Sequence, residues 1–412
     1  MKKKDPQISA ALPSNRRSFL KKGVAAAGAA TVGMGLLKSP ARAFAQEHEG
    51  GSGGLNRGDA AILRFLQALE TIETDLWRQY AELGGAGANV PGTVGNSPID
   101  LSLNGASIPT ALAPLYIAGL QQLDGDMPQY IDDNTDDEIS HESFLRNYLE
   151  AKGEPVADLS RFFDLTPSQV TGVPNTGRLT NLTQLTVDTT WWTRYRSDSQ
   201  NPDLGGSFTP AIPTLAMGKH TAIPRTTDDL TEGKNAGGVS DFTQAIASTA
   251  GFHFAFIEQG GSSLYPQLAQ RVTHPEVLRI LLSIGPTETS HFQTWHDKAG
   301  NAPILTDVPD PVTGVKVSFP NLNDPNATQA QADALQKNLI MPEPTFFLNT
   351  KFGPVSIIRP TETQGAAMAA VQSLIDDGLF IGHTSKSGKS DGFVELLREL
   401  AEEADEARRQ AD

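Results

Sequence analysis

The sequence predicts a mainly α protein built on a four-helix bundle. Four separated segments, near 60–83, 128–152, 242–265 and 276–296, place apolar residues at helical spacing. The second and fourth each carry a Glu-x-x-His pair, Glu138-x-x-His141 and Glu288-x-x-His291, whose two side chains share one helix face. The first and third each carry a glutamate inside the apolar stripe. One inward Glu from each of two helices, plus one Glu-x-x-His from each of two others, is the ligand set of a carboxylate-bridged dimetal site in a bundle core.

In the first segment Asp59 can cap a helix, and Ile62, Phe65, Leu66, Leu69, Ile72, Leu76 and Tyr80 form its stripe. At about 100° per residue, Glu73 lies about 40° from Leu69 and Glu70 about 100° away, at the stripe's edge. A carboxylate among apolar side chains is costly unless paired or metal-bound. This selects Glu73 as the ligand, with Glu70 as the alternative. A Gly/Pro/Asn/Ser-rich loop over 84–108 and a short helix near 111–123 follow.

Pro128 suits the first turn of the second helix, and Lys152-Gly153 closes it. Its stripe runs Ile131, Asn134/Thr135, Glu138, His141, Leu145 and Tyr148, leaving Asp136, Asp137 and Glu142 on the solvated side. Residues 153–238 then break the helical pattern and form an insertion, a folded excursion between the second and third helices. Within it, 179–187 reads as a strand or a regular loop. The cluster Trp191-Trp192-Thr193-Arg194-Tyr195 packs the insertion onto the bundle or lines a pocket. His220 has no assigned role.

Asp241 can cap the third helix, where Glu258 is the lone inward carboxylate and His253 falls about 140° away around the axis. The fourth helix follows His274-Pro275, with Val277, Leu281, Ile284, Glu288, His291 and Trp295 on one face. Gly285-Pro286 should loosen or kink it one turn before the ligands. His296 lies off this face and is at best an outer partner of a metal ligand. Residues 301–340 read as loop and 346–359 as extended. Two helices near 362–377 and 391–409 complete a C-terminal extension over 301–412.

Composition narrows the chemistry. The 412 residues contain no cysteine, which excludes disulfides, zinc–thiolate sites and iron–sulfur clusters and leaves His and carboxylate as the strong metal ligands. The 27 Pro and 38 Gly predict long irregular segments around the bundle. Residues 1–45 carry nine Lys/Arg against one Asp, so removing them takes the formal charge from −15 to −23. So acidic a chain is a poor partner for nucleic acid. Arg16-Arg17-Ser18-Phe19-Leu20-Lys21-Lys22, an apolar run over 23–37, and Ala43-Phe44-Ala45 or Ala41-Arg42-Ala43 as cleavage site make residues 1–45 a signal peptide. The pattern resembles a twin-arginine signal, which implies the twin-arginine translocase as partner and a periplasmic or extracellular destination.

Taken together, Leu69-Glu70-Thr71-Ile72-Glu73, Glu138-x-x-His141, Ile257-Glu258 with Tyr265-Pro266, and Glu288-x-x-His291 resemble the ferritin-like superfamily. The likeness is to exported bacterial proteins of the desiccation-related and rubrerythrin-like kind, and it covers roughly 55–150 and 240–300 of a bundle spanning 55–300. It implies two metal ions, iron first and manganese as the alternative. Glu138 and Glu288 would bridge, His141 and His291 would supply nitrogen, and Glu73 and Glu258 would be terminal. It further implies a di-iron oxidoreductase, a ferroxidase or a peroxidase/catalase-like enzyme acting on Fe(II), O2 or peroxide. The alternative is a non-catalytic stress-related structural protein that keeps the fold.

Overall fold

A computed structural model describes residues 54–86, 113–194, 208–326, 328, 366–383 and 389–410. The expected signal peptide, the extended stretch at 346–359 and most of the 84–108 loop lie outside them. The described chain is mainly helical, as the periodicity predicts. In order come α1 (Arg57–Gly84), α2 (Pro114–Leu120), α3 (Met127–Ala151), α4 (Thr190–Arg194), α5 (Asp241–Ala269) and α6 (Pro275–Ala299). A two-stranded antiparallel hairpin, β1 (Leu305–Pro309) and β2 (Lys316–Phe319), precedes α7 (Ala366–Asp377) and α8 (Phe393–Glu406). Among the described residues no helix is long and apolar enough to cross a membrane.

The four long helices pack as two antiparallel neighbours, α1 with α3 and α5 with α6. Their starts follow capping chemistry, with two shifts from the expected residues. The Asn56 side chain, not Asp59, caps α1 by accepting from the Asp59 amide at 2.9 Å. Asp59 instead reaches the α5–α6 turn, where its carboxylate accepts from the Thr273 and His274 amides at 2.9 and 2.7 Å. Ser240, not Asp241, caps α5. Midway along its length, α6 runs through Gly285 and Pro286 as one helix. A Cβ at Gly285 would stand 2.8 Å from that of Tyr265, so the glycine lets α6 approach α5 closely.

The pairs close on a shared aromatic core. Trp77 of α1 stacks on Trp295 of α6 at 5.4 Å between centroids, and both meet Phe254 of α5. The insertion joins the same hydrophobic core. Trp191 and Trp192 are buried against Phe252 and His296, which places the cluster in packing. His220 donates to or accepts from no metal-ligating group; its Nε2 meets the Thr214 and Met217 carbonyls and holds a loop. Residues 179–187 form a regular loop whose Leu185 bridges to His220.

A buried polar network anchors the insertion on α1. Asp75 accepts from the Leu179 and Thr180 amides and the Thr180 hydroxyl, at 2.7–2.9 Å. Arg178 pairs with Glu82, both buried. The C-terminal extension covers another side of α1: α8 packs on it, and Arg64 meets Glu403 at 3.1 Å. As a result 23 of the residues in this 28-residue helix are buried, far more than one stripe.

The hairpin corrects the loop expected over 301–340. Leu305, Val308, Val317 and Phe319 are buried; β2 alternates, but an irregularity between Leu305 and Val308 breaks the period-two signal in β1. Its turn is closed by Asp310, whose carboxylate accepts the Val312 and Thr313 amides and also holds Arg225 of the insertion.

Arg178→Ala would leave Glu82 buried without its cation, which should cost roughly 3–5 kcal/mol. Urea unfolding should show this as a lower midpoint at unchanged slope. A loss below about 1 kcal/mol, the range of exposed pairs, would mean that the network does not anchor the insertion.

Candidate metal centre

Four glutamates and two histidines converge at the middle of the four long helices. Glu70 comes from α1, Glu138 and His141 from α3, Glu258 from α5, and Glu288 and His291 from α6. They form two groups that could each hold a metal ion: Glu70, Glu138, His141 and Glu288, and Glu138, Glu258, Glu288 and His291. Within each group one donor atom per residue lies within 4.8 Å of the others. Glu138 and Glu288 belong to both. All four glutamates are buried, and the histidines are no more than 9% exposed.

Glu138, His141, Glu258, Glu288 and His291 are expected ligands from the sequence; for the sixth position the sequence favours Glu73 over Glu70. The structure brings Glu70 to the cluster and leaves Glu73 outside both groups, half-buried. A single-stripe argument fails here because α1 is buried on nearly every side, so Glu70, at the edge of the expected stripe, is buried as well. Glu73 still lies near the cluster: burial, then the charges of Glu288 and Glu70, hold its carboxyl well above the usual range. His253 and His296 are also outside, as their helix angles predict.

The imidazoles show what the site is shaped for. His141 Nδ1 lies 3.1 Å from Glu138 Oε2, 3.2 Å from Glu288 Oε1 and 3.5 Å from Glu70 Oε2. His291 Nδ1 lies 3.1 Å from Glu138 Oε1 and 3.2 Å from Glu258 Oε2. One ring nitrogen carries at most one hydrogen, so it satisfies one of these oxygens. Both Glu288 oxygens and Glu70 Oε2 are buried and accept no hydrogen bond. Buried carboxylate oxygens without donors are costly, and a cation among them removes that cost. Gly261 supplies the room: a Cβ there would stand 2.5 Å from Glu288 Oε2. Carboxylate with imidazole, and no thiolate, suits first-row divalent metals.

Outer partners hold the ligands in place. Asn134, one turn before Glu138, donates to Glu138 Oε1 and Glu258 Oε1 at 2.9 Å and accepts from the Trp295 indole at 2.7 Å. Asp137 lies 3.0 Å from His291 Nε2. Its carboxylate can accept the Nε2 hydrogen, which orients the ring so that Nδ1 is the nitrogen turned toward the cluster. Tyr265 donates to Glu70 Oε1, which leaves Oε2 as the free oxygen. The sequence stripe includes Asn134, as Asn134/Thr135, without a role, and it leaves Asp137 on the solvated side. Asn134 stands four residues before Glu138, the spacing at which helical side chains meet, and this is the signal that could have found it.

Charge and burial set the proton inventory of the cluster. Burial pushes Glu70 up to about 7, against the lowering effect of His141. Burial, then the neighbouring Glu138, holds Glu288 well above the usual carboxylate range, and burial raises Glu258. Burial also opposes ionisation of Glu138, but the two imidazoles outweigh it and hold Glu138 low. Both imidazoles are raised, because the glutamates outweigh the effect of burial. The cluster thus holds protons that a metal must displace.

Two outcomes follow from this geometry. Affinity for a divalent metal should fall as pH drops through about 7, where Glu70 takes up its proton, and binding should release protons. Calorimetry in two buffers of different ionisation enthalpy reads both, and binding without proton release would contradict the proton-filled cluster. Gly261→Ala should push Glu288 aside and weaken metal binding by roughly tenfold or more, the scale of disturbing one ligand's support, while Gly260→Ala, whose Cβ meets nothing within 4 Å, should not. No family model matches the chain, and neither a curated protein nor a solved structure matches it.

Proposed function

We propose that this chain is an exported dimetal-carboxylate oxidoreductase with a ferritin-like four-helix bundle formed by α1, α3, α5 and α6. The observation that carries the reading is the sharing of Glu138 and Glu288 by two four-residue groups. Two adjacent metal ions with two common carboxylates need this arrangement, and a single ion or a structural ion pair does not. Glu138 and Glu288, common to both groups, would be shared by the two ions, Glu70 and Glu258 would each serve one, and His141 and His291 would offer Nδ1. Iron is the first choice of metal and manganese the second.

Bound there, the pair of metals supplies one-electron redox change at each ion, which suits Fe(II), O2 or peroxide as substrate. The protein's own part is to fix and dry the site. Asn134 holds Glu138 and Glu258 together, and Asp137 orients His291. Tyr265 fixes the oxygen that Glu70 presents. Trp77, Phe254 and Trp295 pack beside the cluster and exclude water from that side. The Arg16-Arg17 pattern and the small-residue cleavage site support export by the twin-arginine route to the periplasm or beyond.

The test is metal content and turnover of the mature protein purified from the envelope. About two Fe or Mn per chain are expected, with loss in Glu70→Ala and Glu288→Ala and retention in Glu73→Gln. Rapid Fe(II)-dependent O2 uptake or peroxide consumption should accompany the metal. Absence of metal from the wild-type protein would overturn the reading. Tight binding without redox turnover would leave the non-catalytic, stress-related structural alternative.

A further inference from the structure

Tyr80, His253 and Asp377 form a hydrogen-bonded line that the metal cluster does not use. Tyr80 Oη lies 2.8 Å from His253 Nδ1, and His253 Nε2 lies 3.1 Å from Asp377 Oδ2. The three come from α1, α5 and the end of α7. Tyr80 and His253 are fully buried, and Asp377 is 2% exposed. Burial raises the Asp377 carboxyl, against the lowering effects of His253 and Lys219; as a carboxylate it accepts the Nε2 hydrogen, which makes Nδ1 the acceptor and the Tyr80 phenol the donor.

This is an unusual partner for a buried phenol. Tyr116 is equally buried and donates to a backbone carbonyl, Ala222, at 2.8 Å. A carbonyl satisfies the hydroxyl but cannot take its proton. His253 can, and the Asp377 carboxylate would stabilise the imidazolium that results. No substrate reaches a side chain so enclosed, whereas an electron can leave it. Burial pushes the Tyr80 phenol well above its ordinary value, so the neutral phenol is the resting form.

Aromatic rings link Tyr80 to the cluster. Tyr80 meets Phe254 at 4.6 Å and Trp77 at 5.8 Å between centroids. Both of those meet Trp295, at 4.8 and 5.4 Å. The Trp295 indole donates to Asn134, which donates to Glu138 and Glu258. Along this row Tyr80 is the ring with a base attached. The Trp77 indole nitrogen has no hydrogen-bond partner, and that of Trp295 faces an amide oxygen. Neither indole can shed its proton on losing an electron, so each would remain a buried cation, which a low-dielectric core disfavours.

We propose that Tyr80 is a one-electron redox site coupled to the metal cluster through this aromatic row. The proposal takes its oxidant from the dimetal reading: a metal pair that peroxide, a two-electron oxidant, has oxidised. Tyr80 gives up one electron to that pair, which is reduced by one, and the Tyr80 O–H bond breaks as the proton passes to His253 Nδ1. The products are a neutral tyrosyl radical and an imidazolium facing Asp377. Return of one electron from an external one-electron reductant, with the proton moving back from His253, restores the phenol.

The experiment mixes metal-loaded protein with hydrogen peroxide, freezes it, and records electron paramagnetic resonance and metal content on the same samples. A tyrosyl signal is expected in the wild type, narrowed by ring-deuterated tyrosine, and lost in Tyr80→Phe at unchanged metal content. His253→Gln, which removes the base, should lower the radical yield. A second arm uses metal-free protein and a flash-generated ruthenium(III) polypyridyl oxidant, with the tyrosyl absorbance as readout and Tyr80→Phe as control. A chain without metal fails the dimetal reading on the metal count, and the flash arm then decides Tyr80 by itself. A signal that survives Tyr80→Phe and disappears in Tyr265→Phe would overturn the assignment, as would absence of a Tyr80-dependent radical in both arms.

Discussion

Four buried carboxylates aimed at one another are the interaction around which this protein is arranged. Two ionised carboxylates 4 Å apart at an effective dielectric of about 20 repel by about 4 kcal/mol. Several such pairs rival the whole net stability of a domain, about 5–15 kcal/mol. The cluster must therefore be neutralised by protons or by cations, and its surroundings fit the second use. Asn134 bridges two of the glutamates, Gly261 leaves space for a third, and Tyr265 ties one oxygen of the fourth. Each device fixes where a carboxylate points without cancelling its charge.

Positioning those charges requires rigid helices, and the segments outside the four long helices provide much of that rigidity. The insertion grips α1 through Asp75, Glu82 and Arg178, and stacks Trp192 on His296 of α6 at 4.5 Å between centroids. The C-terminal helices cover α1 and α5, and Asp405 accepts from Arg271 and from the first amides of α7. These are buried or half-buried polar contacts, which specify one docking geometry more sharply than apolar contact alone. A bare bundle of this sequence would expose faces of α1 that are closed here.

What could be read beforehand follows from the physics of each signal. The Glu-x-x-His pairs were legible because three-residue spacing fixes two side chains on one helix face whatever packs around it. Glu258 was legible as one carboxylate in a long apolar run. Glu70 lost to Glu73 because a stripe argument presumes one buried face, and α1 has several. Asp137 was hidden for a related reason: its carboxylate is half outside, and only the placement of α6 reveals that His291 leans on it. The Tyr80–His253–Asp377 line joins residues from three distant parts of the chain. No local pattern encodes such a meeting.

The order of the ligands along the chain has a consequence for assembly. Glu70, Glu138 and His141 lie before the insertion, and Glu258, Glu288 and His291 after it. Each half can form its helical hairpin from local contacts, whereas closing the loop over 153–238 comes later in entropy terms. Repulsion among the glutamates therefore opposes the meeting of the hairpins and not their formation. The same seam is where the core concentrates like charge, since both halves present carboxylates to it.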